Sequence, residues 1–278
     1  MQTSSSLLMT SPEASSCMTV AIALRRASRE NTVVDRPPAV PSDGQWAATR
    51  GVLFDMGDVL FDATAWRRWL LGLLSRLGIH SQYRPLFHVW EVDFLDEVHR
   101  GERNYLEAFR DFLGAIGLSR GQIDEVCAAS QARKRAIETT VRPLPGVRST
   151  LAELQRQGYV LGVLSDSEST AAQIRRRLDS IDLGRPFSTI VSSRDLARTK
   201  PDPLTYATAL AQMDVAADET LFVGHDQVEL RGAARAGMRT VAFNNDRAVV
   251  ADVAIERFDQ LHSVVECGQP APPSPPSD

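Results

Sequence analysis

Four apolar runs in this 278-residue chain each lead into a polar side chain that can do chemistry. Asp55 follows "GVLF", Ser165 follows "GVL", Lys200 stands in the loop after "IVSS", and His225 with Asp226 follows "LFVG". A carboxylate at the end of a buried strand is either a turn former or an attacking group. Joined by a hydroxyl, an ammonium and a second acidic cluster, it suits an anionic substrate. Attack on a phosphate dianion meets like-charge repulsion of about 4 kcal/mol per unit pair at an effective dielectric near 20. Lys200 offsets only part of that. With Asp55, Asp58, Asp226 and Glu229 at one edge, negative charge remains in excess, so a divalent cation is expected. Hard oxygen donors favour Mg²⁺. The same residues have structural readings. Asp226 and Glu229 have the D-x-x-E spacing of a capping box, and Ser165 could belong to a helix N-cap.

These residues converge only if the runs are strands of one parallel sheet. "GVLF", "YVLGVLS", "STIVSS", "TLFVG" and "RTVAF" are apolar at both alternate positions, as strands covered on both faces must be. Helical stretches such as "GVRSTLAELQRQG", "STAAQIRRRLDSI", "PLTYATALAQMD" and "ELRGAARAG" separate them. Such alternation predicts an α/β, doubly wound, Rossmann-like sheet with right-handed crossovers. One connection is far longer: residues 63–142 carry no strand signal and four stretches with apolar positions three and four apart. Inserted after the first strand, they would cover the carboxyl edge of the sheet, where open α/β folds bind ligands. The run "ARKRA", Trp90, Glu91 and Arg133 lie on these helices and are candidates for substrate selection, although a basic run of this kind is commonly a solvated face.

Residues 1–48 are rich in Ser, Thr and Pro without periodicity, and residues 265–278 form a proline-rich tail; both are expected to be disordered. A net charge of −4 lacks the basic footprint of a nucleic-acid binder. No apolar run is long enough to span a bilayer, and the order of charge in "MTVAIALRR" is wrong for a secretory signal. A cytoplasmic location is expected, with Cys17, Cys127 and Cys267 as free thiols. The composition leaves the oligomeric state open.

Taken in order, "FDMGDVL", "GVLSDS", "TKPDP" and "VGHDQVELRGAARAG" resemble the four motifs of the haloacid dehalogenase-like hydrolase superfamily, in the branch with a helical cap after the first motif. The resemblance covers residues 51–264. It implies a core over 49–264 with the cap at 63–142, and a strand order 5-4-1-2-3 with Asp55 on the central strand. Asp55 would attack and carry a covalent intermediate. Ser165, Asp166 and Lys200 would contact a small phosphorylated substrate. Asp55, the carbonyl of Gly57, Asp226 and Glu229 would hold Mg²⁺. The implied activity is that of a magnesium-dependent phosphatase. The chain departs from the pattern twice. Gly57 stands where most such phosphatases carry a second aspartate, a general acid worth about 10²–10⁴-fold. His225 stands in the place of the first metal-binding aspartate. A 2-haloacid dehalogenase-type carbon–halogen hydrolase, whose halide leaves without a proton, and a non-catalytic binding protein are the alternatives.

Overall fold

A computed structural model describes residues 48–244 and 249–266 of the chain. Residues 1–47 and 267–278, which include Cys17, Cys267 and nearly all of the two expected tails, lie outside the described residues. Six parallel strands make one sheet in the order β3-β2-β1-β4-β5-β6. They are β1 (Gly51–Phe54), β2 (Val160–Ser165), β3 (Thr189–Ser192), β4 (Thr220–Gly224), β5 (Arg239–Phe243) and β6 (Val253–Ile255). Read from the other edge, the first five follow the expected 5-4-1-2-3, with β1 inside the sheet. The sixth strand was not expected: "VAI" is too short to stand out. Asp252 pins it, its Oδ2 accepting from the N–H and the hydroxyl of Thr240, both at 2.8 Å.

Alternation along the strands divides the core in two. Val52, Phe54, Leu161, Val163, Leu221, Val223 and Val241 face one side, against Leu151 and Leu154 of α6 (Val147–Arg156) and Ile174 and Leu178 of α7 (Ala171–Ser180). Leu53, Leu164, Val191 and Phe222 face the other, against Tyr206, Ala209 and Met213 of α9 (Pro203–Met213) and Leu230 and Ala233 of α10 (Gln227–Arg235). Burying both faces explains why these strands read as continuous apolar runs. The short α8 (Ser193–Leu196) follows β3, and α11 (Leu261–Glu266) closes the described chain with Val265 buried.

The long connection after β1 is helical throughout: α1 (Ala65–Arg76), α2 (Tyr83–Val89), a π-helical turn (Trp90–Leu95), α3 (Asp96–His99), α4 (Tyr105–Ala115) and α5 (Arg120–Thr140). It has its own core, in which Trp66, Phe87, Trp90, Phe109 and Phe112 pack with centroids 5.2–6.5 Å apart. Trp90 is part of that core, 1% exposed, and so is unavailable to a substrate. Cys127 is a buried free thiol in the same cluster.

Candidate active site

Register brings the polar residues to one edge. Phe54 pairs with Val163 on one side and Val223 on the other, so Asp55, Ser165 and Gly224 end three adjacent strands at nearly one level. The Asp55 N–H still bonds to the Val223 carbonyl at 2.9 Å, which fixes the carboxylate just past the strand. Lys200 reaches it from the loop between α8 and α9. Its Nζ donates to Asp55 Oδ1 and to Glu229 Oε2, the latter at 2.6 Å. All three side chains are buried. Burial opposes the charge on Lys200, yet Asp55 and Glu229 outweigh it and hold the ammonium well above its ordinary pKa. Burial likewise opposes the Glu229 charge, but Lys200 and then His225 keep that carboxyl far below the usual range.

The fourth motif is divided between two tasks. Asp226 caps α10: its Oδ1 accepts from the Val228 N–H at 2.7 Å, and the residue is exposed. Glu229 closes the capping box from the other end, Oε1 accepting from the N–H groups of His225 (2.7 Å) and Asp226 (3.0 Å). Its carboxylate folds back over Gly224, where a Cβ would lie 2.6 Å from Oε1, so only glycine fits. The His225 ring stands beside the pair, with Nδ1 3.5 Å from Asp55 Oδ2 and 3.3 Å from Glu229 Oε1. Those separations allow charge attraction, but Nδ1 lacks hydrogen-bond geometry to either oxygen. Burial disfavours a charged His225; the two carboxylates prevail and raise its pKa well above the ordinary value.

On the other flank, Ser165 ends β2 opposite Ser192 and is buried. It has no part in capping, because Thr170 caps α7 in a box with Gln173. Asp166, expected to contact substrate, accepts the backbone N–H of Lys200 through Oδ1 at 3.1 Å and so orients that loop. Burial, only partly countered by Lys200, raises its carboxyl to about 7. At Gly57 a Cβ would meet only Ala63 Cβ, at 3.3 Å. Asp58 takes a positive φ of 58° and ties its Oδ1 to the Ala63 N–H at 2.8 Å, shaping the turn into the helical connection.

That connection docks on the strand ends. Ser193 Oγ donates to the His99 carbonyl and Thr199 Oγ1 to Asp96 Oδ1, both at 2.8 Å. Lys134 Nζ lies 3.5 Å from Glu168 Oε1 and 3.4 Å from the Tyr105 ring centroid. The sequence reading named the run "ARKRA" and singled out Arg133 within it, but Arg133 is exposed and Lys134 of the same run turns inward. A signal was present, since Cys127, Ser130, Lys134 and Ile137 share one helical face. Glu91 pairs with Arg67 at 2.8 Å.

Of the expected magnesium ligands, the Asp55 and Glu229 side chains meet and Asp226 does not join them. Asp226 is committed to the helix terminus. Both oxygens of Glu229 and one of Asp55 already accept hydrogen bonds. The group of side chains whose ligand atoms lie within 4.8 Å of one another is Asp55, Glu229 and His225. An imidazole nitrogen is a poor donor for Mg²⁺, which demands hard oxygens in near-octahedral order. This donor set does not fit the ion.

Known proteins agree with this architecture. The haloacid dehalogenase-like hydrolase family profile matches residues 105–243, half of the chain and downstream of Asp55. A phosphoglycolate phosphatase of Pseudomonas fluorescens is 29% identical over 133 residues, 46% of this chain and 48% of that protein. The match thus spans about half of that relative. A probable phosphoglycolate phosphatase of Pseudomonas putida is 27% identical over 189 residues, 60% of this chain and 74% of that protein. Among solved structures, a 2-haloacid dehalogenase of Pseudomonas syringae pv. tomato superposes with a TM-score of 0.52 at 23% identity, over 79% of this chain and 99% of that one. At that identity the likeness bears on the fold alone. With the sheet, the inserted helices and the family match in accord, the chain belongs to the haloacid dehalogenase-like hydrolase family.

Proposed function

We propose that the chain hydrolyses a small phosphate monoester through attack by Asp55. The observation that carries this reading is the Asp55 carboxylate, held by Lys200 at the carboxyl edge of the sheet. An Asp55 oxygen bonds to phosphorus, and the bond from phosphorus to the leaving oxygen breaks with its electron pair. The departing oxygen takes a proton from water. A second water then attacks phosphorus, releasing phosphate and the free carboxylate. Ser165 and neighbouring backbone N–H groups would hold the phosphate oxygens, and the Lys200 ammonium would offset charge on Asp55 and substrate. Residues 63–142 act as the cap that selects the leaving group. The names of the Pseudomonas relatives support a phosphate monoester. The donor set does not fit magnesium, and the task of offsetting charge on the substrate falls to Lys200.

Gly57 narrows the substrate range: without an acid at this position, leaving groups that depart unprotonated are favoured. The same observation, with His225 in the fourth motif, favours a second reading, hydrolysis of a carbon–halogen bond. One panel separates the readings. Turnover of an aryl phosphate, an alkyl phosphate and a 2-haloacid is measured for wild type and Asp55→Asn. The phosphatase reading predicts aryl cleavage well above alkyl, lost on Asp55→Asn. Haloacid turnover alone would replace it with the second reading, and no turnover of any substrate would leave a binding protein.

A further inference from the structure

The oxygens at this edge are shared out in an unusual way. Lys200 Nζ spans Asp55 Oδ1 and Glu229 Oε2, and two backbone N–H groups take Glu229 Oε1. Asp55 Oδ2 is the one oxygen of the two carboxylates without a hydrogen bond among the described residues, and the His225 ring faces it. The ring lies beside both carboxylates, its buried Nδ1 3.5 Å from Asp55 Oδ2 and 3.3 Å from Glu229 Oε1. Asp226, whose acid type would suit an ion, is turned outward to cap α10. A divalent cation beside Asp55 would therefore find, among these side chains, one open carboxylate oxygen and an imidazole nitrogen, where Mg²⁺ needs several hard oxygens.

We propose that this site works without a bound divalent cation, and that His225, with Lys200, positions the Asp55 carboxylate from the side a metal ion would otherwise occupy. The effect on rate rests on the reading of Asp55 as the attacking group; the absence of metal affinity does not. One donor and one neighbouring ring then set the carboxylate: Lys200 bonds to Oδ1, and the His225 ring lies 3.5 Å from Oδ2, where charge attraction acts without a hydrogen bond. Asp55 is oriented by the chain itself, and its orientation is independent of the metal supply. His225 is a positioning residue here, acting through Asp55.

Manganese provides a direct probe, because the paramagnetic resonance signal of free Mn²⁺ falls as the ion binds. The full chain is titrated with Mn²⁺, with and without inorganic phosphate, as wild type, His225→Asp and His225→Ala. The wild type is expected to leave the free-ion signal unchanged in both conditions. His225→Asp, which supplies the missing hard oxygen, is expected to bind one equivalent at least about tenfold more tightly than wild type. Circular dichroism confirms that each variant is folded. One equivalent bound by wild type and lost in His225→Ala would overturn the proposal, with His225 then a metal ligand. A folded His225→Asp that binds none would overturn the assignment to His225. Turnover of p-nitrophenyl phosphate in excess EDTA gives a second readout, expected to be unchanged. If Asp55 is not the attacking group, Asp55→Asn retains that turnover while the manganese titration keeps its meaning, so the two failures are distinguishable.

Discussion

Gly57 is the residue at which chemistry and space part company. It lacks the acid that would protonate a leaving oxygen, yet a side chain there needs only a few tenths of an ångström from one neighbour, Ala63 Cβ at 3.3 Å. Gly57→Asp is therefore expected to fold and to raise alkyl phosphate turnover by about 10²-fold or more, with a smaller gain on aryl substrates. Rates for both substrates in wild type and variant check this; no alkyl gain in a folded variant would mean that the position does not face the leaving group. Asp166 makes a pH-dependent statement. Its folded value of about 7 lies above the ordinary 3.8, so between those values the folded chain holds a proton that the unfolded chain has lost. Stability from this group is present below pH 3.8 and falls as the pH rises through the window to about 7. Asp166→Asn, which keeps an acceptor for the Lys200 N–H, is expected to flatten that part of the stability profile, measured by urea denaturation at a series of pH values. The meeting of Asp55 and Lys200 at one sheet edge was legible in the sequence because Asp55 ends one strand run and Lys200 lies in the loop after another. The fate of Asp226 was not. D-x-x-E spacing serves a helix cap and a metal site equally well, and only the direction of each carboxylate decides between them.

At the level of elements, caps settle several ambiguities. Asp226 satisfies an N–H of α10 that would otherwise lack a partner, so Asp226→Ala is expected to lower stability by about 1 kcal/mol. Asp226→Asn, which retains an acceptor oxygen, should recover most of that loss in the denaturant midpoint. A loss far above this would point to a heavier role for the carboxylate. Thr170, rather than Ser165, begins α7, which leaves the serine at the end of β2 free of helix duty. The five longer strands were legible because burial on both faces writes an unbroken apolar run. β6 was not, because three residues held by Asp252 carry no periodicity. The π-helical turn at Trp90–Leu95 was also invisible, since "PLFHVWEVDFLDEVHRG" keeps apolar spacing through the change of pitch.

Across the whole molecule, the helical connection and the sheet have separate cores and meet over the candidate site. Their junction is polar: Lys134 with Glu168, Ser193 with His99, Thr199 with Asp96. Polar docking of two packed bodies favours relative motion. Lys134→Ala removes one tie and the contact with Tyr105, at a cost of about 1 kcal/mol or less in global stability. Amides of α3 and α8, at the junction, are expected to exchange faster in the variant while those of β1 and β4 stay protected. Uniform acceleration throughout would show that Lys134 supports the fold rather than the docking. That a helical body sits on the carboxyl edge was readable from one overlong connection. The docking residues were not, because Lys134 is set between two exposed arginines and only its helical face marks it.

The proposed hydrolysis requires Asp55 to be the group that forms a bond to the substrate. Acid quench during turnover of p-nitrophenyl phosphate, followed by peptide mapping by mass spectrometry, tests this most directly. The expected result is a phosphoryl group on the peptide bearing Asp55, absent from Asp55→Asn, which also loses turnover. A phosphoryl group on another residue, or turnover undiminished in Asp55→Asn, would contradict it.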